Sequence, residues 1–165
     1  MADPILVLAH INETLEIDIG TKEALGFALN VSKQTGSTVE CGLIGTDNAS
    51  AVDAVTGLGA TKVYTVEDSS LTRFSGDNVV SAASRIVSSS GAGLVLLGRH
   101  PSTLEFVPRL SKRVGGSCVM NVTGIAAIDA QYTEVEAAVY GLSLIHISEP
   151  TRRTPISYAV FCVKK

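Results

Sequence analysis

The sequence predicts an open, doubly wound, Rossmann-like α/β domain: a mostly parallel sheet with helices on both faces. Three observations predict it. Short apolar runs alternate with helical segments through residues 1–141, the pattern of strands joined by crossover helices. The first and fourth runs, Ile5–Ala9 and Leu94–Leu97, are continuously apolar, as strands covered on both faces are. The stretch LVLLGRHPSTLEFVPRLSKRVGGSCVMNVTGI, Leu94 to Ile125, reads as one complete strand–helix–strand unit.

The elements follow in order. Ile5–Ala9 opens as a strand. Thr21–Gln34 is predicted as a helix, with Thr21 its cap, an apolar face of Ala24, Phe27, Ala28 and Val31, and Gly36 its stop. Val39–Ile44 is the second strand and Ala49–Thr56 a short helix ended by Gly57 and Gly59. Val63–Val66 is the third strand, and Asp77–Ser89 a helix bearing Val79, Val80, Ala83, Ile86 and Val87 on one side. After Leu94–Leu97 a helix carries Leu104, Val107, Leu110 and Val114 at spacings of three and four, and Gly115–Gly116 stop it. Pro108 inside that helix predicts a kink or a late start. Cys118–Val122 is predicted as the next strand, with Gly124–Ile128 and Thr133–Tyr140 closing the pattern.

Composition excludes several classes. The 165 residues suffice for one core, and with 45% apolar and 18% charged residues the chain is not disordered. No apolar run reaches the ~20 residues that span a bilayer, so no membrane insertion is expected. The start, MADPILVLAH, enters a strand without a basic or arginine-rich leader, which favours the cytoplasm. A eukaryotic homologue would sit in the mitochondrial matrix. Cys41, Cys118 and Cys162 form no CxxC pair, so neither a disulfide framework nor a metal site is expected. A net charge of −3 and the lack of tryptophan argue against a nucleic-acid surface.

The candidate site residues are few. Gly98 to Ser102 follow an apolar strand, so Gly98, Ser102 and Thr103 could cradle a phosphate at a helix N-terminus. The competing reading is a tight turn with Ser102 or Thr103 as cap and Glu105 in the first turn. Neither G-x-G-x-x-G nor G-x-x-x-x-G-K-[ST] occurs. Arg109 could pair with an acid across a subunit interface, or be a solvated charge beside Lys112 and Arg113. His10 and His100 each lie just past an apolar strand and so point at the same sheet edge. Cys41 and Cys118 lack a neighbouring base and read as packing residues. No catalytic residue is assigned.

The chain changes character at Leu142. The remainder, LSLIHISEPTRRTPISYAVFCVKK, resembles the conceptual translation of a transposase-type sequencing-library adapter. Residues 142–165 are therefore left out of the functional reading. Without them the chain has nine basic and fifteen acidic residues, and its native C-terminus is expected elsewhere.

Residues 1–141 resemble the N-terminal domain of the electron transfer flavoprotein α subunit. Four segments carry the resemblance: the opening PILVLAHINETL, then LVLLGRHPSTLEFVPRLSKRVGG with its Pro108-Arg109-Leu110, then MNVTGI, and VEAAVYG ending at Tyr140–Gly141. The sequence departs from the family pattern at Asn121, where an acid is usual, at Leu104–Glu105, where a Gly-Lys or Gly-Arg pair is usual, and at Pro101. The resemblance implies an adenine-nucleotide-hydrolase-like sheet and a scaffold domain that forms a heterodimer with a β subunit. It implies FAD held by a C-terminal α domain, with none bound by residues 1–141. It also implies electrons passed from flavin dehydrogenases, such as the acyl-CoA dehydrogenases of fatty acid oxidation, to a quinone reductase or another acceptor. The chain is then part of an electron carrier rather than an enzyme with its own substrate. The rival is a stand-alone nucleotide-binding module of universal-stress type. That type needs Gly-x-x-Gly after the fourth strand, and here Pro101 stands in the last position.

Overall fold

The structure, a computed structural model, describes residues 3–11, 15–72, 74–128, 133–137 and 159–164. Strand β1 (Ile5–Ala9) lies inside the main sheet, parallel to β2 (Val39–Gly45) on one side and to β4 (Leu94–Leu97) on the other. Strand β3 (Lys62–Glu67) runs parallel outside β2. All of β4 and all but the last residue of β1 are buried, which is why neither strand alternates in sequence. The edge strand β3 is less covered, with Lys62, Thr65 and Glu67 exposed.

Helices cover both faces, as predicted. One face packs Val7, Cys41, Leu43 and Leu96 against α1 (Ile19–Thr35) and α2 (Ala49–Gly57), through Ala24, Leu25, Ala28, Ala51 and Val55. The other packs Leu6, Leu8, Val95 and Leu97 against α3 (Gly76–Ser90) and α4 (Pro101–Val114), through Val80, Ile86, Phe106 and Leu110. Each fully buried aliphatic side chain contributes roughly 1.5–3 kcal/mol. The chain leaves β1 toward β2 and β3 with α1 and α2 on one face, then returns through α3 to β4 on the other side of β1. That reversal between β1 and β4 is a topological switch point, and it opens a crevice beyond their carboxyl ends.

Several predicted boundaries move for identifiable reasons. The α1 cap is Asp18, whose Oδ1 accepts the Thr21 amide at 2.8 Å. Thr21 is therefore inside the helix, fully buried, and its hydroxyl accepts the His10 amide at 2.9 Å. Helix α4 does not start late. It begins at Pro101, whose fixed φ suits the first helical position, and it runs through Pro108. Its stop is as read: Gly115 adopts φ 72°.

The predicted strand Cys118–Val122 is not formed. The sheet residues there are the two-residue β5 (Gly116–Ser117), and Asn121 at φ 56° turns the chain out of it. An apolar run reads as a strand until a left-handed residue interrupts it, and asparagine is among the side chains that tolerate this. Val122 then opens β6 (Val122–Ile128), which pairs antiparallel with β7 (Thr133–Ala137) as a separate two-stranded sheet. Residues 138–140 of the last predicted strand, and the seam at residues 141–142, lie outside the described residues.

Strand β8 (Ala159–Lys164) lies between β4 and β5, antiparallel to both, with a register shift between Val95 and Leu96. It belongs to the segment read as adapter-derived. An extended, β-prone segment completes an open sheet edge whatever its origin, so this pairing does not bear on its provenance.

Candidate functional site

The crevice is a cavity of about 710 Å³ at the carboxyl ends of β1, β2 and β4. Its floor is apolar, with Leu8, Ile44, Leu97, Val79 and Phe106, and Phe74 stands half-exposed at its mouth. His10 and His100, predicted to share one sheet edge, meet there. Their rings stack with centroids 3.7 Å apart and planes 23° from parallel.

Each imidazole has a distinct setting. His100 caps α4: its Nδ1 accepts the Ser102 amide at 3.2 Å and lies 2.6 Å from Ser102 Oγ. An accepting Nδ1 puts the ring proton on Nε2. Histidine is not among the usual capping residues, so the local sequence signals Ser102 or Thr103 instead. Neither of those caps the helix. Thr103 is buried, its amide donates to the His100 carbonyl at 2.9 Å, and its hydroxyl donates to the Gly98 carbonyl at 3.2 Å.

His10 Nδ1 lies 3.7 Å from Asp18 Oδ2, beyond hydrogen-bond reach, and is buried without a partner. Burial chiefly, and then the neighbouring His100, push the His10 pKa below 6.5, while Asp18 pulls it upward. Folded His10 therefore binds its proton less readily than unfolded His10. Its contribution to stability is fully present above pH 6.5 and is lost as the pH falls from there through the lowered value. Two substitutions separate the causes. His100→Asn keeps a capping side chain but removes the ring, so the His10 pKa is expected to rise. Asp18→Asn keeps the α1 cap but removes the charge, so it is expected to fall. Titration of the imidazole C–H resonances by NMR reads both. Shifts in the same direction would contradict this account.

The phosphate-cradle residues are engaged internally. Pro101 has no N–H, and the Ser102 and Thr103 amides bind His100. Gly98 has a packing role: a Cβ there would stand 2.3 Å from the Gly20 carbonyl carbon. The bare backbone of β4's exit thus lets the start of α1 approach.

The Arg109 guanidinium pairs with Asp77 at the start of α3, within the same chain. Both side chains are largely exposed, so the pair contributes at most about 1 kcal/mol. Its evident role is to tie α3 to α4.

Ser102 and His100 place a hydroxyl beside an imidazole, yet this is not nucleophile geometry. The same Nδ1 accepts the Ser102 amide, and the Thr103 amide that would receive an oxyanion is already bonded. Cys41 is buried, with its thiol pKa pushed up to about 12, and is inert packing. Among the described residues no group of three or more His, Cys, Asp and Glu side chains could hold a metal ion. No described helix is long and apolar enough to cross a membrane.

Among its described lining residues the cavity carries no lysine or arginine, and the Thr21 and Ser102 amides in the first turns of α1 and α4 are bonded within the chain.

Residues 5–157 match the model of the electron transfer flavoprotein domain family. That span covers β1 to β7 and continues past Gly141. No curated protein matches the chain.

Proposed function

From the premise that this chain belongs to the electron transfer flavoprotein domain family, we propose that it is the N-terminal, α-type domain of such a carrier. In this reading it is a scaffold that pairs with a β-type subunit. FAD sits in a separate α domain, and electrons pass from flavin dehydrogenases to a quinone reductase or another acceptor. The redox chemistry then belongs to the flavin, and the protein supplies positioning and association.

One observation carries the α-type assignment. The opening strand, the segment Leu94–Gly116 with its Pro108-Arg109-Leu110, and Met120–Ile125 occur in the α-type order and spacing, inside the matched span. The parallel sheet is covered by α1 to α4, while β6 and β7 leave it as a separate two-stranded sheet that sets Val122, Ile125 and Val135 against this chain's own core and leaves Glu136 and Ala137 exposed.

Co-expression of the full chain with an electron transfer flavoprotein β-type subunit tests the assignment. A stable one-to-one complex on size exclusion is the expected outcome. Separate elution at micromolar concentration would overturn the α-type reading while leaving family membership intact.

A further inference from the structure

The end of β1 and the start of α4 meet through two side chains that the scaffold role does not use. His10 stands just past β1 and His100 caps α4, and their rings stack with centroids 3.7 Å apart. Neutral His100 carries its proton on Nε2, because Nδ1 accepts the Ser102 amide at 3.2 Å. A second proton on that ring has one place to go, the capping atom itself. Ser102 Oγ, 2.6 Å from Nδ1, can accept it. The Ser102 amide is then left without its acceptor, and a cation sits at a helix N-terminus. The first turn of α4 is otherwise lightly held: Pro101 has no N–H, Pro101 and Leu104 are exposed, and the Thr103 hydroxyl donates to the Gly98 carbonyl at 3.2 Å.

His10 responds differently. Its Nδ1 is buried without a partner, 3.7 Å from Asp18 Oδ2. A first proton there meets a carboxylate and leaves the caps of α1 and α4 in place. A proton on each ring sets two cations in one stack. The charges that act on His10 are those of His100 and Asp18. Besides the two histidines, Asp47, ahead of α2, is the one ionisable side chain among the described residues that line the crevice. There β2, α3 and the 3₁₀ turn Ser69–Thr72 present uncharged residues. Glu105 on α4 lies against Gly76 of α3, and Arg99, next to His100 in sequence, is exposed.

We infer that the His10–His100 pair is an acid-sensitive latch: with at most one proton it holds the first turn of α4 closed, and the second proton releases that turn without unfolding the domain. An exposed imidazole titrates at about 6.5. The opened turn takes up a proton there that the closed pair refuses. The opening equilibrium is therefore flat above that pH and climbs as the pH falls below it. Burial chiefly, and then His100, already hold the His10 pKa below 6.5, which agrees with this sign. Ser102 and Thr103 line the crevice, so release changes its α4 side. The latch does not rest on the α-type assignment, since a chain that fails to bind a β-type subunit carries the same two histidines.

Amide hydrogen exchange of the full chain, followed by NMR at pH 7.5 and 5.5 and corrected for intrinsic rates, tests the latch. Protection of the Ser102 and Thr103 amides is expected to fall about tenfold between the two, the effect of one refused proton a unit below 6.5. At pH 5.5 their exchange is expected to ignore about 1 M urea, as a small local opening does, while exchange at Leu110 accelerates. His100→Asn keeps an acceptor that does not titrate, and the fall is expected to vanish. His10→Phe keeps a flat ring without charge and leaves the α4 cap untouched, and the fall is expected to shrink to about threefold. Urea acceleration at Ser102 in parallel with Leu110 would mean unfolding of the whole domain and overturn the proposal. So would protection at Ser102 that does not change with pH, a fall that persists in His100→Asn, or an undiminished one in His10→Phe.

Discussion

Replacing Gly98 with alanine lowers the unfolding free energy by about 3 kcal/mol, the upper part of the range for adding a methyl to a packed site. The new Cβ would stand 2.3 Å from the Gly20 carbonyl carbon, 2.5 Å from its oxygen and 2.7 Å from the Thr21 nitrogen. These are backbone atoms, so no side chain can swing aside to relieve the contact. Thr21 is also pinned, by the Asp18 cap and the His10 amide. The expected readout is a lower urea midpoint with an unchanged slope. Gly26 supplies the control. It lies inside α1, a Cβ there meets nothing within 4 Å, and Gly26→Ala should stabilise by about 0.5–1 kcal/mol through helix propensity. A Gly98→Ala cost below that of an ordinary surface change would contradict the close approach of β4's exit to α1.

Leu96→Ala has an effect of similar size but a different origin. Leu96 is fully buried in β4, paired in register beside Val7, and belongs to the core on the α1 face. Truncation loses transfer free energy and leaves a cavity that a central strand held by neighbours cannot collapse. The expected cost is about 3 kcal/mol. Leu104→Ala is the matched comparison: Leu104 is 62% exposed on the first turn of α4, and its loss should cost no more than about 0.5 kcal/mol. Equal midpoints for the two variants in denaturant would mean that β4 is not the interior strand described.

The alternation of apolar strands and amphipathic helices made the doubly wound sheet legible in the sequence, because burial on both faces leaves a run such as Leu94–Leu97 with no polar residue. Two glycine stops were equally legible: Gly36 and Gly115 adopt left-handed φ at the ends of α1 and α4, whereas α2 includes Gly57 and is capped by Leu58. Starts were less so. Asp18 and His100 act through lone side-chain acceptors, and any nearby Ser, Thr or Asp gives the same local signal. The β5–β6 region misled for another reason. Cys118–Val122 has the composition of a strand, and one φ at Asn121 directs the chain elsewhere. The His10–His100 stack was half legible. Position past a strand end fixed the shared edge, but ring contact depends on how far each loop carries its histidine. The pairing of Arg109 with Asp77 was hidden, since thirty-two positions separate them and only the packing of α3 on α4 brings them together.

Pro108 sits seven positions into α4 and has no N–H. The Leu104 carbonyl thus loses its partner four residues on, and the helix lacks one rung of its ladder. The first turn, which carries His100's cap and one wall of the cavity, is held to the rest of α4 by fewer bonds than the turns beyond it. In amide exchange the C-terminal half of α4, anchored by Leu110 in the core, is expected to open only with the domain, and the turn at Pro101–Leu104 at lower free energy. The α4 residues that line the crevice, Ser102, Thr103 and Phe106, all precede the missing rung.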